Sequence, residues 1–210
     1  MFKLTKYINQ NRLIIIILTF SVMFSSLAAA AKNAKEDIAQ SVVRLHVIAS
    51  SDSDADQALK LKVRDRILSE SAEIFKNAEG PKEALKKANE ESERLRLAAE
   101  EVIRENGYDY KVQVETGEFL FPLKNYGEIM LPAGRYNALR IVIGEGQGKN
   151  WWCVMFPPLC LAKGTVKLSE DSDAYLKSHL TKGEYDLIKS SSEPTVEIRF
   201  KLVEILKKLI

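Results

Sequence analysis

An uncharged apolar run near the start of the chain limits how much of it can build a water-facing fold. Residues 13–27 read LIIIILTFSVMFSSL, and Ala28, Ala29, Ala30 and Ala31 follow. Before the run, residues 1–12 carry Lys3, Lys6 and Arg12 and no acid. Basic start, apolar centre and small-residue end are the order of a secretory signal peptide over residues 1–31. The uncharged stretch 13–31 is 19 residues long, just enough to span a bilayer, so an uncut anchor is the alternative. Either reading exports everything from Lys32 onward. Residues 32–40 read as a polar tether and 41–210 as one exported domain.

Charge and composition then exclude several functions. The chain holds 31 Lys and Arg against 29 Asp and Glu, and losing the three leader cations leaves 28 against 29. Such a balance does not hold nucleic acid by bulk charge. A hydrophobic share of 46% excludes a disordered chain. His46 and His179 lie too far apart for a paired two-Cys two-His zinc site, and no metal or cofactor is expected.

The exported part alternates patterns in a definite order. Residues 42–49 predict an interior strand, with Val43, Leu45 and Val47 on one face and Val42, Arg44, His46 and Ile48 on the other. A turn at 50–56 (SSDSDAD) precedes a helix over about 54–77, with Asp54 and Gln57 placed as a capping box. Ala58, Leu61, Leu68, Ala72 and Phe75 suit one face of it, widened by Leu59, Val63, Ile67 and Ile74. A second helix is expected over 81–106, opened by Pro81 and stopped by Gly107. From Tyr108 the period becomes two, as in a strand. Segments 136–143 (YNALRIVI) and 151–156 (WWCVMF) read as strands joined by GEGQGKN, hence as an antiparallel hairpin. One short helix is expected near 172–180 or 182–189, a strand through Val196, Ile198 and Phe200, and a final amphipathic turn or two. The fold class predicted is α+β: a single domain, with two long helices packed on one face of a mainly antiparallel sheet.

Chemical motifs are tested and mostly fail. Asp52, Asp54 and Asp56 suggest a calcium loop, but Gln57 and Val63 stand where Gly and Glu are needed. GEGQGKN resembles a phosphate loop, but its outer glycines are too close and Asn150 replaces Ser or Thr. His46 is a conceivable general base oriented by Asp52 or Asp65, yet no nucleophile motif accompanies it. No catalytic residue is therefore assigned. Cys153 and Cys160, exported together, favour a disulfide, with two buried free thiols as the alternative. Trp151 and Trp152 must point to opposite faces of a strand. Either one is exposed as a partner anchor or both faces of the sheet are covered.

Two segments resemble a known family. RLHVIASSDSDADQALKLKVRDRIL at 44–68 and YGEIMLPAGRYNALRIVIGEGQGKNWWCVMFPPLC at 126–160 are closely similar to stage II sporulation protein R. The NWWCV-x-FPPLC string is the most specific part; Ser50 and Met155 depart from the Asn and Leu expected there. The resemblance implies a signal of endospore-forming bacteria, made in the forespore and exported between the two facing membranes. It implies a partner, the extracytoplasmic part of a membrane-embedded aspartic protease that processes the sigma-E precursor. No nucleic acid is implied, and membrane contact only through the N-terminal segment. Partner-binding candidates are Tyr126, Arg135, Tyr136, Trp151, Trp152, Pro157 and Pro158. Motif residues without an assigned role are Arg44, His46, Asp52, Asp56, Gln57, Lys60, Arg64 and Asp65. A cell-envelope hydrolase using His46 and a sugar-binding module using Trp151 or Trp152 are the alternatives.

Overall fold

A computed structural model describes residues 2–160 and 168–190. The strand and final turns expected beyond Val196 lie outside the described residues. The first helix, α1 (Phe2–Gln40), runs without a break through the alanine run and through residues 32–40. The expected polar tether is thus helical. Its last turn buries Ile38 and Ala39, because these apolar positions follow Ala34 at helical spacing and meet the sheet.

Strand β1 (Val43–Ile48) is interior, as its two apolar faces require. Helix α2 (Asp54–Phe75) follows. Its cap is Ser53, whose Oγ accepts the Asp56 N–H at 3.2 Å, and Asp54 and Asp56 lie in the positive first turn. The cap therefore lies one residue before the one expected, and the Gln57 side chain donates instead to the Ser51 carbonyl at 2.9 Å. The buried face is Leu59, Val63, Ile67 and Phe75, joined by Lys60 and Arg64, while Ala58 and Ala72 face outward. The rotation moves two cations onto the covered side.

The second long helix is broken at Glu91 into α3 (Pro81–Glu90) and α4 (Ser92–Glu105). Pro81 does open it. Gly107, at φ 83°, closes it with two bonds, Gly107 N–H to Arg104 O at 3.0 Å and Tyr108 N–H to Ile103 O at 3.1 Å. This is the glycine-terminated helix end that a left-handed residue permits. The remaining elements are β2 (Val112–Phe121), β3 (Lys124–Asn125), β4 (Met130–Leu131), β5 (Gly134–Ile143), β6 (Asn150–Phe156), α5 (Glu170–His179) and α6 (Lys182–Ser190).

The main sheet has the order β2-β5-β1-β6. β2 pairs antiparallel with β5, β5 parallel with β1, and β1 antiparallel with β6. Strands β5 and β6 are therefore not the expected hairpin, because β1 lies between them. The glycine-rich connection instead passes over the end of β1. Gly148 N–H donates to Ala49 O at 2.9 Å and Gln147 N–H to Ser50 O at 3.1 Å. A Cβ on Gly148 would stand 2.2 Å from the Ser51 carbonyl oxygen, so the close crossing needs glycine there.

Both faces of the sheet are covered. Helices α2, α3 and α4 lie on one side, over Val43, Leu45, Val47, Leu139, Ile141 and Cys153. The end of α1, the β3–β4 pair, α5 and α6 cover the other, around Val42, Phe121, Tyr136, Ala138 and Val154. The α+β class holds, but helices occupy two faces, not one.

Candidate functional site

The motif residues gather in three places around β1 and β6. The first is a clasp between the acidic turn and the glycine loop. The Asp52 carboxylate accepts the Lys149 N–H at 2.7 Å. Lys60 Nζ donates to the Lys149 carbonyl at 2.9 Å and to Gln57 Oε1 at 2.6 Å. Ser51 Oγ donates to buried Asp56 at 2.5 Å. Burial lowers the affinity of Lys60 for its proton, while Asp52 opposes that shift. Four unassigned motif residues, Asp52, Asp56, Gln57 and Lys60, thus hold the loop that launches β6. In this arrangement the Asp52 and Asp56 carboxylates accept from the chain itself, from the Lys149 N–H and the Ser51 hydroxyl.

The second place is the helix-covered face. Trp151 pairs with Val47 across the ladder, so its ring points toward α2. The Arg64 guanidinium lies 4.3 Å from the Trp151 ring centre and 2.7 Å from Asp65 Oδ1. Stacking of a largely buried guanidinium on indole is worth about 0.5–2 kcal/mol. The third place is the opposite face. Trp152 pairs with His46 and stacks on it, with ring centres 3.8 Å apart. Phe121 meets Trp152 edge-on at 4.7 Å. Arg44, fully buried, donates to the Tyr126 hydroxyl and lies 4.1 Å from the Phe121 ring centre and 4.6 Å from that of Tyr136. Its Nε and Nη1 have no hydrogen-bond partner among the described residues. Burial pulls the guanidinium below its ordinary value, opposed by the Tyr126 and Tyr136 hydroxyls. Burial also pushes the Tyr136 phenol up to about 12.

His46 is no assembled catalytic base. Its Nε2 lies 2.7 Å from Asn150 Oδ1, and Nδ1 has no partner among the described residues. Burial lowers its pKa, with Arg140 and Arg44 adding to the effect and the Asn150 bond opposing it. Asp52 is committed to the loop and Asp65 to Arg64, so neither orients the imidazole. Among the described residues, no three metal-binding side chains cluster.

The partner-binding candidates divide by exposure. Tyr126 and Tyr136 are buried, and the Tyr136 hydroxyl donates to Pro132 O at 2.6 Å. Of the adjacent pair Arg135 and Tyr136, Arg135 is the exposed one, beside Glu118. Trp151 and Trp152 are each half-buried, the outcome of covering both faces of the sheet. Pro157 is buried and Pro158 exposed, after a cis bond between Phe156 and Pro157. Cys153 and Cys160 are joined, with Cα atoms 6.2 Å apart.

Strand β6, last in the order of the described strands, also borders two open hollows. One, about 340 Å³, lies at its start between Lys124, Asn125, Tyr126, Trp151 and Trp152. The other, of the same volume, lies at its end between Phe75, Phe156, Pro157, Pro158 and Tyr175. The sequence marked the tryptophans and prolines but not Phe75 or Tyr175, which ordinary helical patterns bring in from α2 and α5.

The comparisons agree with this concentration of motif residues. The sequence profile described as stage II sporulation protein R matches residues 39–166. A Bacillus subtilis (strain 168) protein described as "Stage II sporulation protein R" is 33% identical over 180 residues, covering 80% of each chain. No solved structure gives a significant match. The profile match begins in the last turn of α1 and takes in the clasp, both tryptophan faces and the proline pair, and on this ground the chain belongs to the stage II sporulation protein R family.

Proposed function

We propose that the protein is an exported forespore-to-mother-cell signal. It binds the outer part of a membrane-embedded aspartic protease and so switches on processing of the sigma-E precursor. Family membership across residues 39–166 is the observation that carries this reading. An apolar N-terminal helix compatible with a signal sequence supports export. Hollows at both ends of β6 support recognition, because binding hot spots are enriched in Trp and Tyr, which line them. The protein acts as a stoichiometric ligand rather than through turnover. Neither alternative gains a specific observation: His46 meets Asn150 and Trp152, and one ring face of each tryptophan is occupied by Arg64 or His46.

Reconstitution tests the proposal. The chain is expressed for export beside its cognate protease and sigma precursor, and precursor cleavage is followed. Cleavage is expected with the wild type and with H46Q. Variants at exposed Arg135 and Pro158, and at half-buried Trp152, should need a higher dose. A hot-spot loss of ~2 kcal/mol corresponds to roughly thirtyfold in affinity. Circular dichroism separates lost contact from lost folding. No cleavage with the wild type sinks the function; normal cleavage by all three folded variants sinks the surface.

A further inference from the structure

A second apolar groove lies where α1 meets the domain, away from β6. Ala31 and Ala34 of α1 form one wall, and Leu123, Met130 and Leu187 stand opposite, around about 290 Å³. Leu123 is 56% exposed and Leu187 48%. Exposed leucines on a globular surface are ordinary when scattered, but these share a groove with a helix able to cross a bilayer.

The axial position of the groove identifies its occupant. At about 1.5 Å per residue, the uncharged run 13–31 is roughly 28 Å long, close to the hydrocarbon thickness of a bilayer. Ala31, its last residue, lines the groove. Lys32 and Lys35 follow on the helix, and Lys124 follows Leu123, where cations meet headgroups. No flexible spacer intervenes: α1 continues to Gln40, buries Ile38 and Ala39 in the domain, and is closed by Ser41 Oγ on Ile38 O at 2.8 Å. A spanning α1 thus holds the groove at the level where hydrocarbon gives way to headgroups. Apolar side chains at that depth leave water as those of interfacial helices do.

We propose that, in the chain with α1 intact, this groove is a membrane foot. Leu123 and Leu187 rest in the lipid interface beside α1, and the domain stands on the bilayer in one orientation instead of swinging from a tether. Membrane contact then extends beyond the N-terminal segment. The inference does not depend on the proposed protease partner.

Full-length chain in vesicles of phosphatidylcholine and phosphatidylglycerol tests it. Nitroxide labels are placed through L123C, L187C and, as a control, L97C, which is 48% exposed on α4, a helix of the layer on the opposite sheet face from the end of α1. Mass mapping confirms that Cys153 and Cys160 stay joined. Labels at positions 123 and 187 should collide with oxygen more than with a water-soluble nickel chelate, and the label at 97 should do the reverse. L123W gives a second readout without a label: its added emission should be quenched by brominated lipid. Nickel collision at 123 and 187 equal to that at 97 overturns the proposal. Shielding from both reagents, with no lipid quenching, means that protein covers the groove and overturns it as well.

Discussion

The two faces of the β1–β6 pair are built from different material. Toward α2, strand β1 offers Leu45 and Val47 to Leu59, Val63 and Ile67. On the other side it offers Arg44 and His46 to Phe121, Tyr126, Tyr136 and Trp152. One face is an aliphatic core whose stability follows from buried area. Among the described residues, the other buries a cation with no carboxylate partner and a histidine with one unpartnered nitrogen. Desolvation works against the second face, and aromatic ring faces offset only part of it. The first face of the pair therefore stabilises without that cost, while the second, within its own apolar cluster, holds groups that an apolar core of equal size would not need.

The largest test of this contrast is L45A. Removing a fully buried leucine side chain should cost about 2–5 kcal/mol, read as a fall in the denaturant midpoint at unchanged slope. R44M at the neighbouring position should have the opposite sign. Exchanging a buried, incompletely bonded charge for an apolar side chain of similar size is neutral or stabilising by up to about 4 kcal/mol. If R44M falls as far as L45A, the three rings hold the guanidinium more strongly than its burial penalises it, and the contrast dissolves. A stabilised R44M that still triggers precursor cleavage would give Arg44 no part in partner contact.

R64M sharpens the comparison on the helix face. It keeps the apolar stem but removes the charge over Trp151, and should cost about 0.5–2 kcal/mol. Tryptophan emission should shift with it, whereas R44M, whose nearest rings are Phe121, Tyr136 and Tyr126, should move emission less.

The smallest effect is a pH slope from His46. Burial holds its folded-state pKa below 6.5. The unfolded chain then takes up the proton first as the pH falls. The His46 contribution to stability is therefore full above the unfolded value and is lost below it. Denaturation of the wild type between about pH 5 and 7 should show a steeper acid-side loss than H46Q. Equal slopes would mean that His46 titrates alike in both states.

Much of the local structure was legible. Alternation at 42–49 reports an interior strand because side chains on a strand have a period of two. Pro81 and Gly107 marked a helix start and stop for steric reasons. The break at Glu91 carried no such mark. On α2 the apolar residues were read around Ala58 and Ala72, whereas Lys60 and Arg64 take buried positions. Long basic side chains lie along a core and bond at its edge, as Lys60 does to Gln57 and Lys149, and no periodicity shows which cations will do so. The site was legible as a place, NWWCV-x-FPPLC, but not as an arrangement. Tyr136 was a partner-binding candidate and is buried, its hydroxyl bonded to Pro132 O within the same turn.

The sequence by itself determined the apolar leader, the helix start at Pro81, the two faces of β1 and the opposed directions of Trp151 and Trp152. All of these depend on spacing along the chain. The insertion of β1 between β5 and β6 was decided only in the tertiary structure, since every strand offers the same backbone donors and acceptors to any neighbour. The glycine loop chose its course by contact with Ser50, Ser51 and Asp52, residues remote in sequence. The same long-range pairing placed Arg44 and His46 under the aromatic side of the sheet, and burial there, not residue type, set their chemistry.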